Sequence, residues 1–329
     1  TAVGSVTLDA NTTGDFNTAV GRSALGGNTT ADKNTGIGYN ALGSNTTGTQ
    51  NVAVGALTLD ANTTGSSNTA CGEGSLSANT TASNNTAVGF QALEENTTGI
   101  QNTAIGSRAI TANTTANNNT AIGDVALTTN TTGANNTAVG QSALYANTTA
   151  DNNTAVGKSA LSANTTGSAS TAIGFQSLKD NTTGDQNTAC GNNTLRDNTT
   201  GQYNTAVGTQ ALINNTTGDN STALGAFALL DNTTGDYNVA VGANALEDNT
   251  TGAGNGAFGS FALGYNTTGH SNVAIGGFSP STGGSNVVAA MRFNTTGTQN
   301  TAVGNGALAY NTTADHNTAV GHQSLTNNT

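Results

Sequence analysis

Few residues in this sequence could bind a metal or form a covalent cross-link. The chain includes two cysteines, Cys71 and Cys190, and three histidines, His270, His316 and His322. Cysteine and histidine bind zinc where they recur at short, paired spacings. The histidines show no such spacing, so the sequence predicts no metal site.

Acidic side chains outnumber basic ones, 18 against 7, for a formal net charge of −11. Catalysis by carboxylates needs a pair at a defined separation, and nucleophilic catalysis needs an arrangement such as Ser-His-Asp. The acids instead occupy varied positions, such as Glu94-Glu95 and Asp231. We therefore predict no catalytic residues, no cofactor and no enzymatic activity. Without clustered Lys and Arg we predict no nucleic-acid partner, and without a long run of consecutive apolar residues no membrane span.

The sequence is built from an internal repeat. The pattern of Thr18-Ala19-Val20-Gly21 occurs in 19 copies, at steps of seventeen residues up to Ile275 and again at Val303 and Val320. Gly follows the valine position in all 19 copies, and Ala precedes it in 18, with Gly36 the exception. Leu or Ile stands five residues after the valine position, and Asn-Thr-Thr begins eight residues after it. The consensus N-T-A-V-G-x-x-A-L-x-x-N-T-T-G-x-x covers the chain.

One segment breaks the period. The step from Ile275 to Val303 is twenty-eight residues long, which we interpret as two shortened coils of fourteen with Ala289 at the middle position. The segment contains Pro280, the one break in the leucine position. A kink or an inserted loop is the alternative. The predicted organisation is regular repeats over 1–276, irregular shortened coils over 277–302 and resumed repeats over 303–329.

Seventeen residues are too few for a pair of helices and suit one coil of a β-solenoid. The short apolar positions are mostly β-branched, as strands prefer, and Gly at fixed offsets marks corners. We therefore predict an all-β parallel β-solenoid of 17-residue coils, with one short strand at Thr-Ala-Val and a second at Asn-Thr-Thr. Asn-Thr-Thr also matches the N-glycosylation sequon, but glycans about 4.8 Å apart would be crowded. A ladder of hydrogen-bonded Asn side chains is the favoured interpretation.

Alternation along the strand predicts which side chains face the core. We expect the valine and leucine positions to point inward, so that both cysteines, at the valine position, are small buried residues. Their separation of about 34 Å excludes a disulfide. The near-invariant Ala then points outward, where only close packing explains its small size. We expect an interface between copies of the chain at Ala19, Ala53, Ala87, Ala138 and Ala172. A tight bend that only Ala fits is the alternative.

The variable positions hold nearly all the charge and most of the aromatic side chains. Contacts with a receptor or glycan are expected at six of them: Tyr39, Phe90, Tyr145, Phe175, Tyr203 and Tyr237. Scattered surface aromatics with no binding role are the alternative.

The run Asn17-Thr18-Ala19-Val20-Gly21 and its copies, including Asn272-Val273-Ala274-Ile275-Gly276, resemble the head repeats of YadA-like trimeric autotransporter adhesins and related repeats in phage tail fibres. The resemblance covers nearly the whole chain, although the 17-residue coil is longer than that family's usual coil. It implies a left-handed parallel β-roll assembled as a trimeric rod. It also implies an extracellular, non-enzymatic role at a cell or virion surface.

The leading functional expectation is a structural extracellular fibre segment for adhesion or display. A self-assembling extracellular filament or sheath subunit is the alternative, and an ice-binding solenoid whose Thr ladders order water is a third. The expected partner is the chain itself, as a trimer or a filament, together with a host receptor or glycan if the fibre is adhesive.

Overall fold

The structure, a computed structural model, describes residues 1–278 and 288–328. Over these residues it contains nineteen β-strands and no helix. The chain forms two compact units, Thr1–Thr166 and Gly167–Thr329. Each unit is a parallel β-solenoid with a 17-residue repeat, which confirms the predicted fold class.

Unit 1 contains ten strands, and all but the first are three residues long: β1 Ala2–Val3, β2 Thr18–Val20, β3 Thr35–Ile37, β4 Val52–Val54, β5 Thr69–Cys71, β6 Thr86–Val88, β7 Thr103–Ile105, β8 Thr120–Ile122, β9 Thr137–Val139 and β10 Thr154–Val156. Unit 2 contains nine: β11 Thr171–Ile173, β12 Thr188–Cys190, β13 Thr205–Val207, β14 Thr222–Leu224, β15 Val239–Val241, β16 Gly256–Phe258, β17 Val273–Ile275, β18 Thr301–Val303 and β19 Thr318–Val320.

Within each unit, the strands pair in parallel with the equivalent strands of the adjacent coils. Thr18 lies opposite Thr35, and Val20 lies opposite Ile37. The same register holds in unit 2, where Ala172 lies opposite Ala189. Equivalent residues therefore form columns within each unit.

From β2 onward, the alanine of the strand points into the coil, which is the reverse of the prediction. Ala19, Ala53, Ala87, Ala138 and Ala172 have 0% of their surface exposed, whereas Val20 is 36% exposed. The prediction of outward alanines and inward valines is therefore wrong. These five alanines have no accessible surface with which to contact a second chain. The narrow interior explains their size, because a Cβ atom on Gly36 would already lie 3.2 Å from Leu25 Cγ in the adjacent coil.

The leucine position supplies the one large apolar side chain at the centre of each coil. Leu25 is fully buried, as are Ala19 and Ala24 of the same coil. The φ of Leu25 is +51°, and that of Ser23, two residues earlier, is +58°. These two residues occupy the third positions of consecutive turns closed by the bonds Ala24 N–H to Gly21 O and Gly26 N–H to Ser23 O, as type II turns require. The left-handed conformation costs a leucine about 1–2 kcal/mol, and burial of the side chain, about 1.5–3 kcal/mol, offsets that cost.

The glycine after each strand has a backbone conformation that residues with a side chain rarely adopt. Gly21 has φ +129°. A Cβ atom there would lie 2.5 Å from the carbonyl oxygen of Gly38 in the next coil. Conformation and close coil-to-coil approach together explain why this position is Gly in all 19 copies.

Asn-Thr-Thr does not form the predicted second strand. Its threonines form bends, although the backbone still bonds between coils: Thr46 N–H donates to Thr63 O at 2.9 Å. The first threonine adds a side-chain bond, from Thr46 Oγ1 to Thr63 O at 3.0 Å. Each coil therefore has one strand and a bonded bend instead of two strands.

The asparagine of Asn-Thr-Thr forms the predicted ladder, which we call the turn ladder. Asn62 Nδ2 donates to Asn45 Oδ1 in the preceding coil at 2.9 Å and to Gly65 O in its own coil at 3.0 Å. Its Oδ1 accepts from Asn79 Nδ2 at 2.9 Å. Every member from Asn28 to Asn311 in the described chain is fully buried. N-glycosylation would need an exposed nitrogen, so these sequon asparagines are structural in the folded coil.

A second ladder, not anticipated from the sequence, lies at the residue before each strand. We call it the strand ladder. Asn51 N–H donates to Asn34 Oδ1 at 2.9 Å, and Asn51 Nδ2 donates to Gly65 O at 2.8 Å. Asn51 is fully buried. Two of the buried positions of a regular coil are thus amides whose hydrogen bonds are completed by adjacent coils.

The irregular segment is one coil with an insertion. Strands β17 and β18 pair directly, Ala274 opposite Ala302, although their equivalent positions are separated by eleven residues more than the regular repeat. Ala290 N–H donates to Gly276 O at 2.9 Å, and the fully buried Met291 fills the leucine position. The interpretation as two shortened coils over 277–302 is wrong, because the regular pattern resumes at Ala290. Residues 279–287, including Pro280, lie outside the described residues.

The turn ladder yields a first prediction. Asn62→Ala removes one amide and leaves Asn45 Oδ1 and one Nδ2 hydrogen of Asn79 without a partner. Gly65 O still accepts from Asn51 Nδ2. Each such orphaned group costs about 1–3 kcal/mol, so we expect a lower thermal midpoint and faster amide exchange in the adjacent coils. Thr64→Ala, at an exposed threonine two residues away, is the control. Equal midpoints for the two variants would contradict the ladder.

The orientation of the strand yields a second prediction. Ala138→Phe overfills the coil interior, whereas Val139→Phe places the same ring outside. Overpacking a core costs about 1–3 kcal/mol, so only the first variant should lose thermal stability. Circular dichroism melts of the two variants measure this. A greater loss of thermal stability for Val139→Phe would show instead that the valine points inward and the alanine outward.

Candidate interaction surfaces

The described residues contain no group of three His, Cys, Asp or Glu side chains arranged to hold a metal ion. No helix among the same residues has the length and apolarity to cross a bilayer. The notable features lie instead in columns on the outer surface of each unit.

The valine position forms an outward apolar column on the strands of each unit. Most of the large side chains in the column are near 40% exposed, for example Ile105 at 39% and Ile173 at 42%. The threonine two residues earlier points to the same side and is half-buried in most coils. We call these two columns together the strand face.

The strand face carries no charge. All 25 Asp, Glu, Lys and Arg residues lie outside the strands, in the segments that connect them. The net charge of −11 therefore belongs entirely to the other surfaces of the coils. Surfaces of like charge repel each other, whereas a regular array of methyl and hydroxyl groups does not.

The cysteines lie on the strand face. Cys71 in β5 and Cys190 in β12 are both free thiols, and both are exposed. The prediction that they are buried core residues is wrong, because the valine position points outward. Each thiol therefore provides one accessible sulfur atom, in a known coil, on the strand face of its unit.

The six aromatic residues singled out from the sequence are all exposed, from 42% at Phe90 to 65% at Tyr237. They occupy three positions of the coil, with those that share a position at least two coils apart. None belongs to a ring–ring pair among the described residues. Two of them contact arginines: Arg22 lies 5.9 Å from the Tyr39 ring centroid and Arg108 lies 5.8 Å from that of Phe90. The structure exposes these residues without bringing them together as a patch, and their role in binding stays a prediction.

A separate aromatic cluster borders the insertion. The rings of Tyr265, Phe293 and Tyr310 occupy one column, with centroid distances of 5.3 Å and 4.9 Å. Arg292 lies 4.6 Å from the ring centroid of Phe261 and 6.0 Å from that of Phe278 at the start of the insertion. The cluster attaches the start of the insertion to the flank of the coil. Alignment of the long step as a single insertion would have revealed the column in the sequence.

Unit 2 has an acidic column at its turns. Burial raises the pKa of Asp248, and the nearby carboxylates of Glu247 and Asp231 raise it further. The folded state therefore favours the protonated form of Asp248 more than the unfolded chain does.

The acidic column yields a third prediction. A raised carboxyl pKa gives a stability contribution that is present below the ordinary value, 3.8, and lost as pH rises through the folded value. Asp248→Asn removes the penalty, so we expect a higher thermal midpoint at pH 7 and no gain below about pH 3.8. Asp124→Asn, at an exposed carboxylate, is the control. Equal gains for both variants at pH 7 would show that only net charge matters.

Comparison with known proteins finds no match: no family model, no curated protein and no solved structure is significantly similar to this chain.

Proposed function

We propose that this protein is a structural, non-enzymatic fibre segment for adhesion or display, assembled from copies of the chain that dock through their strand faces. Its place is outside the cell, at a cell or virion surface. The observation that carries the proposal is the uncharged strand face of each unit, with its exposed Val and Ile and half-buried Thr side chains.

Charge favours a second copy of the chain as the occupant of this face. The remaining surfaces carry the net charge of −11, so two copies approach with least repulsion where neither is charged. Exposed β-branched side chains at most coils also form a long apolar strip, which monomeric proteins seldom leave open. The interface first assigned to the alanine column thus moves one residue along the strand, to the valine column.

Adhesion and surface display rest on the resemblance to YadA-like head repeats and tail-fibre repeats, whose trimeric assembly suits a strip of this kind. Contacts with a receptor or glycan belong to the outer bends, where the exposed aromatics such as Tyr203 and Tyr237 lie. A self-assembling filament or sheath subunit uses the same strand face but has no closed stoichiometry.

A double substitution on the strand face yields the fourth prediction. Val88→Glu combined with Ile122→Glu places charges two coils apart on the strand face of unit 1. We expect the unaltered chain to sediment as a discrete oligomer, with three copies expected, and the double variant to sediment as a monomer with unchanged β circular dichroism. Thr81→Glu combined with Thr115→Glu, at exposed bend positions, is the matched control and should leave the oligomer intact.

Cys71 reports the relative direction of the copies. In a Cys190→Ser chain, a short bismaleimide should link Cys71 of one copy to Cys71 of another if the copies are parallel and in register. Fibres of indefinite length in electron micrographs would favour the filament alternative. An unaltered chain that stays monomeric at high concentration would sink the proposal, and thermal hysteresis of that monomer would favour the ice-binding alternative.

A further inference from the structure

A surface cavity of about 300 Å³ opens on unit 1, and no residue of the strand face lines it. Three consecutive coils line it. The middle coil contributes Glu73, Gly74 and Ser77. The coils on either side contribute Leu57 and Asp60, and Phe90, Gln91 and Glu94.

The cavity exists because Gly74 lacks a side chain. Its column reads Leu57, Gly74, Gln91 in successive coils, so the middle coil leaves a gap between two large side chains. A Cβ atom on Gly74 would meet only Gln91 Cγ at 3.5 Å and Glu94 Oε1 at 3.9 Å, which are ordinary contacts. Gly74 has φ +68°, and Leu57 and Gln91 adopt similar values of +54° and +53°. The fold therefore does not require glycine at this position.

The lining combines apolar walls with carboxylates. Asp60 and Glu94 belong to coils two apart, which separates their backbones by roughly 9–10 Å, and Ser77 lies between them in the same column. None of the seven Lys and Arg residues lines the cavity. Leu57 and Phe90, at 39% and 42% exposed, form walls that an alkyl chain could cover.

The existing hydrogen bonds leave these carboxylates able to accept more. Glu94 Oε1 accepts from Gln91 Nε2 at 3.0 Å, and Asp60 Oδ2 accepts from Asn40 Nδ2 at a long 3.5 Å. Burial partly desolvates the Asp60 carboxylate and so raises its pKa. A cation in the cavity would relieve that cost.

We propose that this cavity binds an alkylammonium group, with the ammonium between Asp60, Glu73 and Glu94 and the alkyl chain against Leu57 and Phe90. The volume, at the lower end of small-molecule sites, suits one such group. The group could belong to a lysine side chain of another protein or to a free polyamine. The inference is independent of the fibre function, because no lining residue belongs to the strand face.

The test uses the full chain, n-butylammonium chloride as probe and n-butanol as its uncharged analogue, followed by ¹H–¹⁵N NMR. We expect saturable shifts at the amides of Gly74, Ser77 and Gln91, with a dissociation constant on the order of millimolar, and no matching shifts with n-butanol. Gly74→Gln fills the gap and should weaken binding at least roughly tenfold. Gly254→Gln, at a glycine with similar φ and open space around it, should bind the probe normally.

Glu94→Gln provides a second test of binding if Gly74→Gln folds poorly. Loss of one ion pair should weaken binding by roughly two- to fivefold, and added salt should weaken it in the unaltered chain. Nα-acetyl-lysine amide and spermidine, compared at equal concentration, distinguish a peptide source from a polyamine source. Equal shifts with n-butanol, undiminished binding by Gly74→Gln, or no shift with n-butylammonium would each overturn the proposal.

Discussion

The structure depends on buried asparagine amides whose hydrogen bonds only a neighbouring coil can complete. A 17-residue coil is so narrow that its interior holds one leucine, small residues and two asparagines. An isolated coil has little apolar burial and leaves its amides to water. A buried amide without partners is costly, and stacking avoids that cost because the coils that bury an amide also bond to it: Asn62 donates to Asn45 and accepts from Asn79. The ladders therefore make each coil's stability conditional on the coils beside it.

The narrow interior also determines the outer surface. Because the strand lies close to the leucine column, only alanine fits inward, and the valine position must point outward. Charge is confined to the connecting segments, which leaves the strand face uncharged and apolar. One geometric restriction thus accounts for the buried alanine column, for the exposed thiols of Cys71 and Cys190, and for the surface that we propose joins copies of the chain.

Periodicity predicted the repeat unit, the parallel stacking and the turn ladder, because identical residues at a fixed step must form columns. It could not predict the direction of the strand, since alternation identifies which residues share a side without telling which side is inside. Val52 and Val273, which replace the threonine of the strand, are exposed, so apolar residues at that position do not mark an inward side. Neither the positive φ at residues such as Leu25 nor the strand ladder could be predicted from composition. The cavity at Gly74 arises because one coil has glycine where the adjacent coils have large side chains. A consensus sequence averages over such differences and so could not predict it.

Exchange of the asparagine side-chain amide protons with solvent tests the central claim most directly. In ¹⁵N-labelled protein transferred to D₂O, the Nδ2 protons of Asn62 and its turn-ladder neighbours should persist far longer than those of the exposed Asn84. Exchange of the ladder amides as fast as that of Asn84 would show that they are not buried between coils, and the account of the fold would fail.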